Sequence, residues 1–216
     1  MTSLVRLITA IMAVGLLASC GSDRQESRLE LFSRIGANWR TSLSDTEQQS
    51  NAAQLRAAVP ALLEQVPAPM ILMTQRTING AGIFVLNTEI GNYRVFSSSD
   101  DMTVTLEGGV LAETRRLGDD LMSSENGPLP SLLATRSEGD YQRVLRTLDG
   151  EGHEISVMYD CRLSQTAPDR MIENCTTPGR AFKNVYEYIP GAPLLARSEQ
   201  WLSNDHGHLS IEHLRH

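Results

Sequence analysis

Four histidines stand near the end of the chain, at His206, His208, His213 and His216, and two adjacent carboxylates, Asp119 and Asp120, follow the basic pair Arg115 and Arg116. On a strand His206 and His208 would project from one face and His213 from the other. No Cys or carboxylate stands at a recognised ligand spacing from them, so exposed terminal histidines are the simpler reading and a bound metal the rival one. Neighbouring residues of an extended segment point in different directions, so Asp119 and Asp120 suit capping of loop amides better than shared acid–base work. The sequence contains no Gly-x-Ser-x-Gly elbow, His-Glu-x-x-His helix, Walker loop or dinucleotide glycine fingerprint, which leaves the common nucleophile, zinc and nucleotide sites without support. No catalytic residue and no cofactor are expected. Aromatic residues make up 5% of the chain. Tyr93, Tyr141, Tyr159, Tyr186, Tyr188 and Trp201 fall in expected strands, where packing is their commonest task and a sugar-stacking platform a rarer one.

The three cysteines carry more information. Arg6 precedes the apolar run LITAIMAVGLL, and the run ends in small residues, the layout of an export signal. The run is too short for the ~20 residues of a membrane span. Leu17-Ala18-Ser19-Cys20 resembles the bacterial lipobox, and the polar stretch from Gly21 to Ser27 suits a tether. That resemblance implies diacylation of the Cys20 thiol and cleavage before it, and acyl chains contribute about 0.8 kcal/mol per buried methylene to membrane anchoring. It also implies sorting by the following residue, where Asp signals inner-membrane retention, so Gly21 points to the outer membrane. With Cys20 consumed as a thioether, Cys161 and Cys175 remain, an even number that favours a disulfide in an exported protein. Their midpoint falls at Pro168, in the turn-forming stretch Thr166-Ala167-Pro168-Asp169-Arg170, so the two would face each other across a hairpin. Closing that loop is worth about 3 kcal/mol in the chain-entropy account.

The elements that must position these residues follow from periodicity. The 216 residues, 41% hydrophobic and 21% charged, fit a signal peptide at 1–19, a lipidated tether at 20–28 and one domain at 29–216. Leu29, Leu31, Phe32, Ile35 and Trp39 recur at helical spacing. A second helix has Ser44 or Asp45 as caps and Ala52, Ala53, Leu55, Ala58 and Val59 along it. Pro60 is expected to end that helix and begin a short turn with Leu62 and Leu63, so the helical region covers 29–65. Beyond Val66-Pro67-Ala68-Pro69 the pattern becomes short runs between Gly, Asn, Asp and Ser clusters, read as strands. These are Met70–Gln75, Gly82–Asn87, Asn92–Ser97, Thr103–Leu106, Val110–Arg115, Tyr141–Leu148, Glu154–Leu163, Met171–Cys175, Phe182–Ile189, Leu194–Leu202 and His208–Leu214. Connections such as Asn79-Gly80, Glu107-Gly108-Gly109 and Pro190-Gly191 are too short for helical crossovers, which excludes a parallel α/β fold. About eleven antiparallel strands must close into a barrel or a strongly curved meander to manage their edges. The gap from Gly118 to Gly139 is expected to be a long functional loop.

The stretch from Gly109 to Met122, with Thr114-Arg115-Arg116-Leu117-Gly118-Asp119-Asp120-Leu121 at its centre, resembles the most recognisable segment of the YjbF/GfcB family of group 4 capsule polysaccharide lipoproteins. There a strand is usually followed by Thr-Arg-Gly-Leu-Gly-x-Asp-Leu. Arg116 stands at the position of the first Gly, the residue that permits left-handed turn geometry. Glu89-Ile90-Gly91-Asn92-Tyr93, Glu173-Asn174-Cys175, Asn184-Val185-Tyr186 and Arg197-Ser198-Glu199-Gln200-Trp201 resemble the family in the same order, with Glu187 where the family often has Trp. The resemblance spans nearly all of the mature chain and is weakest in the helical region. It implies a mainly antiparallel β-barrel in a setting of capsule or exopolysaccharide production. It also implies a binding or motif role for Arg115, Gly118, Asp119, Asp120, Asn184, Tyr186, Gln200 and Trp201.

The net charge of -7 excludes a general nucleic-acid binder. The leading expectation is a non-catalytic outer-membrane lipoprotein, facing the periplasm, that assists polysaccharide assembly or export by binding export proteins or the glycan. One alternative is a lipid or lipoprotein carrier with an apolar cavity under the N-terminal helices. Another is a glycan-modifying enzyme using Asp119, Asp120 or Glu113, which needs two carboxylates about 5–10 Å apart around a cleft.

Overall fold

A computed structural model of the chain describes residues 45–75, 77, 80–118 and 120–216. Cys20, its tether and the expected helix from Leu29 to Trp39 lie outside the described residues, as does Asp119. Helix α1 runs Asp45–Gln65, and twelve strands follow in order: β1 Met70–Gln75, β2 Gly80–Ile90, β3 Tyr93–Ser97, β4 Thr103–Glu107, β5 Val110–Arg115, β6 Leu121–Glu125, β7 Gly139–Leu148, β8 Glu154–Ala167, β9 Arg170–Thr177, β10 Arg180–Tyr188, β11 Leu195–Ser203 and β12 Gly207–Arg215. A short helix α2, Leu129–Thr135, separates β6 from β7.

The strands form one sheet in the order β5-β4-β3-β2-β1-β12-β11-β10-β9-β8-β7-β6, every neighbouring pair antiparallel. A meander whose first and last strands pair in this way closes on itself except at one seam. There β5 and β6 lie side by side without sharing a hydrogen-bond ladder. The result is the mainly β, nearly closed barrel that the short connections imply. Gly108 and Gly109 illustrate the local cause: both have positive φ, 55° and 93°, as a two-residue turn between Glu107 and Val110 requires.

Alternating residues fill the interior. Ile71, Phe84, Phe96, Val104, Leu111, Tyr159, Phe182 and Leu209 belong to one buried cluster that draws on nearly every strand. A second cluster joins Leu129 and Leu133 of α2 to Leu163, Met171, Tyr186, Tyr188 and Leu195.

Two expectations are corrected. The segment from Gly118 to Gly139 is not one long loop: it contains β6 and α2, so the strands number twelve instead of eleven. The sequence LMSSE is short and only half apolar, and Pro128 and Pro130 mark the start of a helix as readily as a loop. Pro60 does not end its helix, which continues to Gln65. A proline inside a helix costs about 3 kcal/mol through its missing donor and its clash. Pro60 faces solvent, whereas Leu55, Leu62 and Val66 on either side are buried. Arg215 of β12 donates to the carbonyls of Leu63, at 2.6 Å, and Val66. α1 packs against β2 and β12, and this burial outweighs the local penalty.

Candidate functional site

The residues that sequence reasoning singled out form two polar assemblies inside the scaffold. The first occupies the interior where β7, β9 and β10 meet. Glu173 is fully buried and forms an ion pair with Arg143, 3% exposed, whose Nη1 donates to both carboxylate oxygens at 3.0 Å. The remaining donors are Asn184 Nδ2 at 2.7 Å, Tyr141 Oη at 2.9 Å and Tyr186 Oη at 3.1 Å. Arg143 Nη2 donates to Asn126 Oδ1 at 2.7 Å, and Asn126 in turn donates to Glu107 at 3.0 Å. Strand alternation explains the gathering: Tyr141 and Arg143 share one face of β7, Glu173 lies on the inward face of β9 between Met171 and Cys175, and Asn184 and Tyr186 share a face of β10.

Burial works against the charge of Arg143, and the Glu173 carboxylate more than offsets it, so the guanidinium is held protonated more firmly than usual. Burial, followed by the same carboxylate, raises both Tyr141 and Tyr186 far above the ordinary tyrosine value. Both therefore remain neutral donors at any physiological pH. A buried carboxylate with a counter-ion and three further donors has its hydrogen-bonding capacity satisfied.

Cys161 and Cys175 pair directly across β8 and β9 and are joined by a disulfide, as their spacing around Pro168 implies. Cys175 Sγ lies 3.3 Å from Glu173 Oε1, a contact without a proton, since a bonded sulfur carries none. Cys161, Glu173 and Cys175 are close enough to resemble a metal cluster. Their sulfurs are spent on each other, however, and no thiolate is on offer.

The second assembly is the seam. Thr114 Oγ1 donates to Asp120 Oδ1 at 3.0 Å and accepts from Leu121 N at 2.9 Å. Asp120 accepts from the amides of Arg116 at 2.7 Å and Leu117 at 3.0 Å. Arg115 donates to the carbonyls of Thr114, Leu121 and Met122 at 2.8, 3.3 and 3.4 Å. Side chains thus take the place of ladder bonds between β5 and β6. Arg116 adopts φ 66°, the left-handed conformation for which the family pattern uses Gly, and the hydrogen bond that its backbone N–H donates to Asp120 holds that turn. Gly118 has φ 113°, and a Cβ there would lie 2.4 Å from His206 Nε2, so this turn abuts the β11–β12 turn.

Gln200, 1% exposed, reaches from β11 to β5: its Oε1 accepts from Leu111 N at 2.7 Å and its Nε2 donates to Gly109 O at 2.9 Å. The Trp201 ring stacks on Phe182 at 4.8 Å and meets Tyr159 edge-on at 6.2 Å, and its amide donates to Asn184 Oδ1 at 2.7 Å. Among the named residues, Asn184, Tyr186 and Trp201 share one region, Gln200 ties β11 to β5, and Arg115, Gly118 and Asp120 form the seam. The four histidines do not gather into one cluster among the described residues. His208 lies 2.8 Å from the Lys183 carbonyl, while His213 and His216 stack on each other at 4.9 Å.

Sequence reasoning missed Arg143 and gave Glu173 no task. The available signal was one charged residue on the apolar face of each of two strands, Tyr141-Arg143-Leu145 and Met171-Glu173-Cys175. It also missed Lys183, the only lysine in the chain. Lys183 sits on the outer face of β10, and the outer side of the sheet carries two grooves. One, about 360 Å³, is lined by Thr74, Thr77, Lys183, Glu199, His208 and Ser210 among others. The other, about 540 Å³, is lined by Asp140, Gln142, Asp160, Arg162, Asn174 and Thr176 among others.

Residues 41–214 match the family described as group 4 capsule polysaccharide lipoprotein gfcB, YjbF. The fold is similar to the crystal structure of the hypothetical lipoprotein YmcC from Escherichia coli K12, with a TM-score of 0.61 and 17% identity, over 82% of this chain and 97% of that one. No curated protein matches the chain.

Proposed function

The chain belongs to the YjbF family of group 4 capsule polysaccharide lipoproteins, and from that premise we propose an envelope lipoprotein that assists assembly or export of a capsule or exopolysaccharide. It acts by binding, to polysaccharide-export proteins or to the glycan itself, and not by catalysis. Cys20 carries the lipid, and Gly21 after it favours the outer membrane, with the domain facing the periplasm of a Gram-negative cell. The observation that carries this reading is the family match over residues 41–214. The geometry supports it from another direction. Asp120 is engaged by two backbone amides and the Thr114 hydroxyl, and Glu173 by Arg143 and three neutral donors. Neither is free to serve as acid, base or nucleophile, whereas the outer face of the sheet offers polar grooves.

The test has two arms. Radiolabelled palmitate should enter the wild-type chain and not Cys20→Ala, and the labelled protein should fractionate with the outer membrane. Deletion of the gene should lower surface polysaccharide, and crosslinking in the native membrane should recover an export component or the glycan. Normal polysaccharide after deletion, together with no such crosslink, would overturn the reading.

A further inference from the structure

The two grooves on the outer face are parts of one polar track. The register aligns Thr74, Ser210, Glu199 and Val185 in a single row across β1, β12, β11 and β10. A second row places Asp140 beside Arg162, Arg162 beside Asn174 and Asn174 beside Lys183 across β7 to β10. Lys183 lines the first groove and is the register partner of Asn174 in the second. At that point β10 and β11 part: their pairing covers Val185 to Tyr188 only. Beyond it His208 and Asn184 bridge the gap through the Lys183 carbonyl and the Trp201 amide. Seven strands at about 4.8 Å spacing make the track about 29 Å long, the length of a short oligosaccharide.

Charge on the track is largely matched. Arg162 pairs with Asp140 at 3.1 Å and Glu199 pairs with Arg197, while Asp160, in the lining of the second groove, accepts only from the neutral Gln142 amide at 3.0 Å among the described residues. Lys183 has no carboxylate partner among the described residues. The hydroxyls of Thr74, Thr77 and Ser210 line the first groove with it, and Thr176, Gln142 and Asn174 line the second, which Lys183 adjoins through its register partner Asn174. Such a lining suits a polyhydroxylated chain, and the one unmatched cation suits an acidic group on it. The net charge of -7 disfavours a densely charged polyanion, which long-range repulsion would keep away.

We infer that the outer face of β7 to β12 and β1 binds an extended, sparsely acidic glycan, with Lys183 receiving the carboxylate of an acidic sugar. This rests on the glycan-binding reading of the function and assigns it a surface. Arg143 and Glu173 hold β7, β9 and β10 together from beneath, and the track runs over their outer side.

Having one lysine makes the test direct. The full-length chain, purified in detergent and reductively methylated with carbon-13 formaldehyde, carries a single ε-dimethylammonium probe that keeps its charge. Hyaluronan octasaccharide, with one carboxylate per disaccharide, should shift that resonance, and neutral maltooctaose should not. In calorimetric titration of the unmethylated protein, Lys183→Gln should weaken hyaluronan binding by about tenfold or more, the loss of one charge-assisted bond, and Lys183→Arg should retain most of it. Hyaluronan binding that Lys183→Gln leaves unchanged would overturn the track while leaving glycan binding intact. Equal binding of maltooctaose would overturn the acidic-sugar assignment. No binding of either sugar would overturn the inference, and the deletion and crosslinking experiments would then decide the wider function separately.

Discussion

Replacing Arg143 with Met isolates the Glu173 carboxylate at a point where it is fully buried. Two 3.0 Å charge-assisted contacts disappear and three neutral donors remain, from Tyr141, Asn184 and Tyr186. Removing one partner of a buried ion pair costs about 3–5 kcal/mol, mostly because the other charge stays behind without compensation. Total stability is typically about 5–15 kcal/mol, so Arg143→Met should remain folded but with a much lower urea midpoint, followed by tryptophan fluorescence with the disulfide intact. Glu173→Gln should cost a similar amount by leaving the Arg143 charge unpaired. The double variant Arg143→Met/Glu173→Gln should fall short of the summed losses by about 2 kcal/mol or more, since neither charge is then stranded. A loss below about 1 kcal/mol for Arg143→Met, or strictly additive losses in the double variant, would refute the claim that this pair organises the interior.

The remaining predictions concern the His213 ring, the disulfide and the seam. Burial, with His216 and Arg94 adding to it, lowers His213 from 6.5 to about 4. Below pH 6.5 the unfolded chain takes up a proton that the folded one refuses, so stability should decline as pH falls from 6.5 towards 4. At about 1.36 kcal/mol per pH unit the loss approaches 3 kcal/mol, and His213→Leu should flatten that slope in urea titrations across the range. Tyr186 is raised in the fold, so the contribution of its proton is present below pH 10 and is lost as pH rises beyond it; Tyr186→Phe should reduce the alkaline slope above pH 10. The double variant Cys161→Ala/Cys175→Ala should lose about 3 kcal/mol in urea, as expected for a loop of this length. Asp120→Ala frees two backbone amides and should cost about 1–2 kcal/mol, similar to losing a helix cap, with faster hydrogen exchange at the amides of Arg116 and Leu117.

Most of the sheet was legible because its signals are local. Met70–Gln75 and Val110–Arg115 coincide with their expected bounds, and the other strands differ mainly at their ends. Gly, Asn and Asp turns punctuate the chain, and the apolar alternation between them has a period of two. Strand β6 was not legible, because LMSSE has two consecutive serines and pairs with only one neighbour. Nor was the continuation of α1 through Pro60, since what offsets the penalty is packing on β2 and β12, with Arg215, 152 positions from Leu63 in sequence, holding the last turn. The site was less legible than the sheet. Asn184 and Tyr186 drew attention as a motif, but their partner Glu173 lies on β9 and its counter-ion on β7. Nothing in one linear sequence tells which inward charge meets which. The single lysine was visible throughout, yet only the register places it between two grooves.

The location of the seam explains why the most recognisable stretch of the chain carries no visible chemistry. A meander of twelve strands whose ends pair as β1 and β12 needs no crossover, but somewhere the sheet must turn sharply enough to close, and here it does so between β5 and β6. An unpaired strand edge exposes donors and acceptors that invite foreign strands. Thr114, Arg115 and Asp120 answer those groups individually, and Gln200 does the same for Leu111 and Gly109 from across the interior. In this chain each of these residues serves a geometric need of the closure, so the recognisable stretch does structural work here. The outer faces of β7 to β12 carry no such closing duty, and there Lys183 stands on β10 without a carboxylate partner among the described residues, beside the polar linings of two grooves.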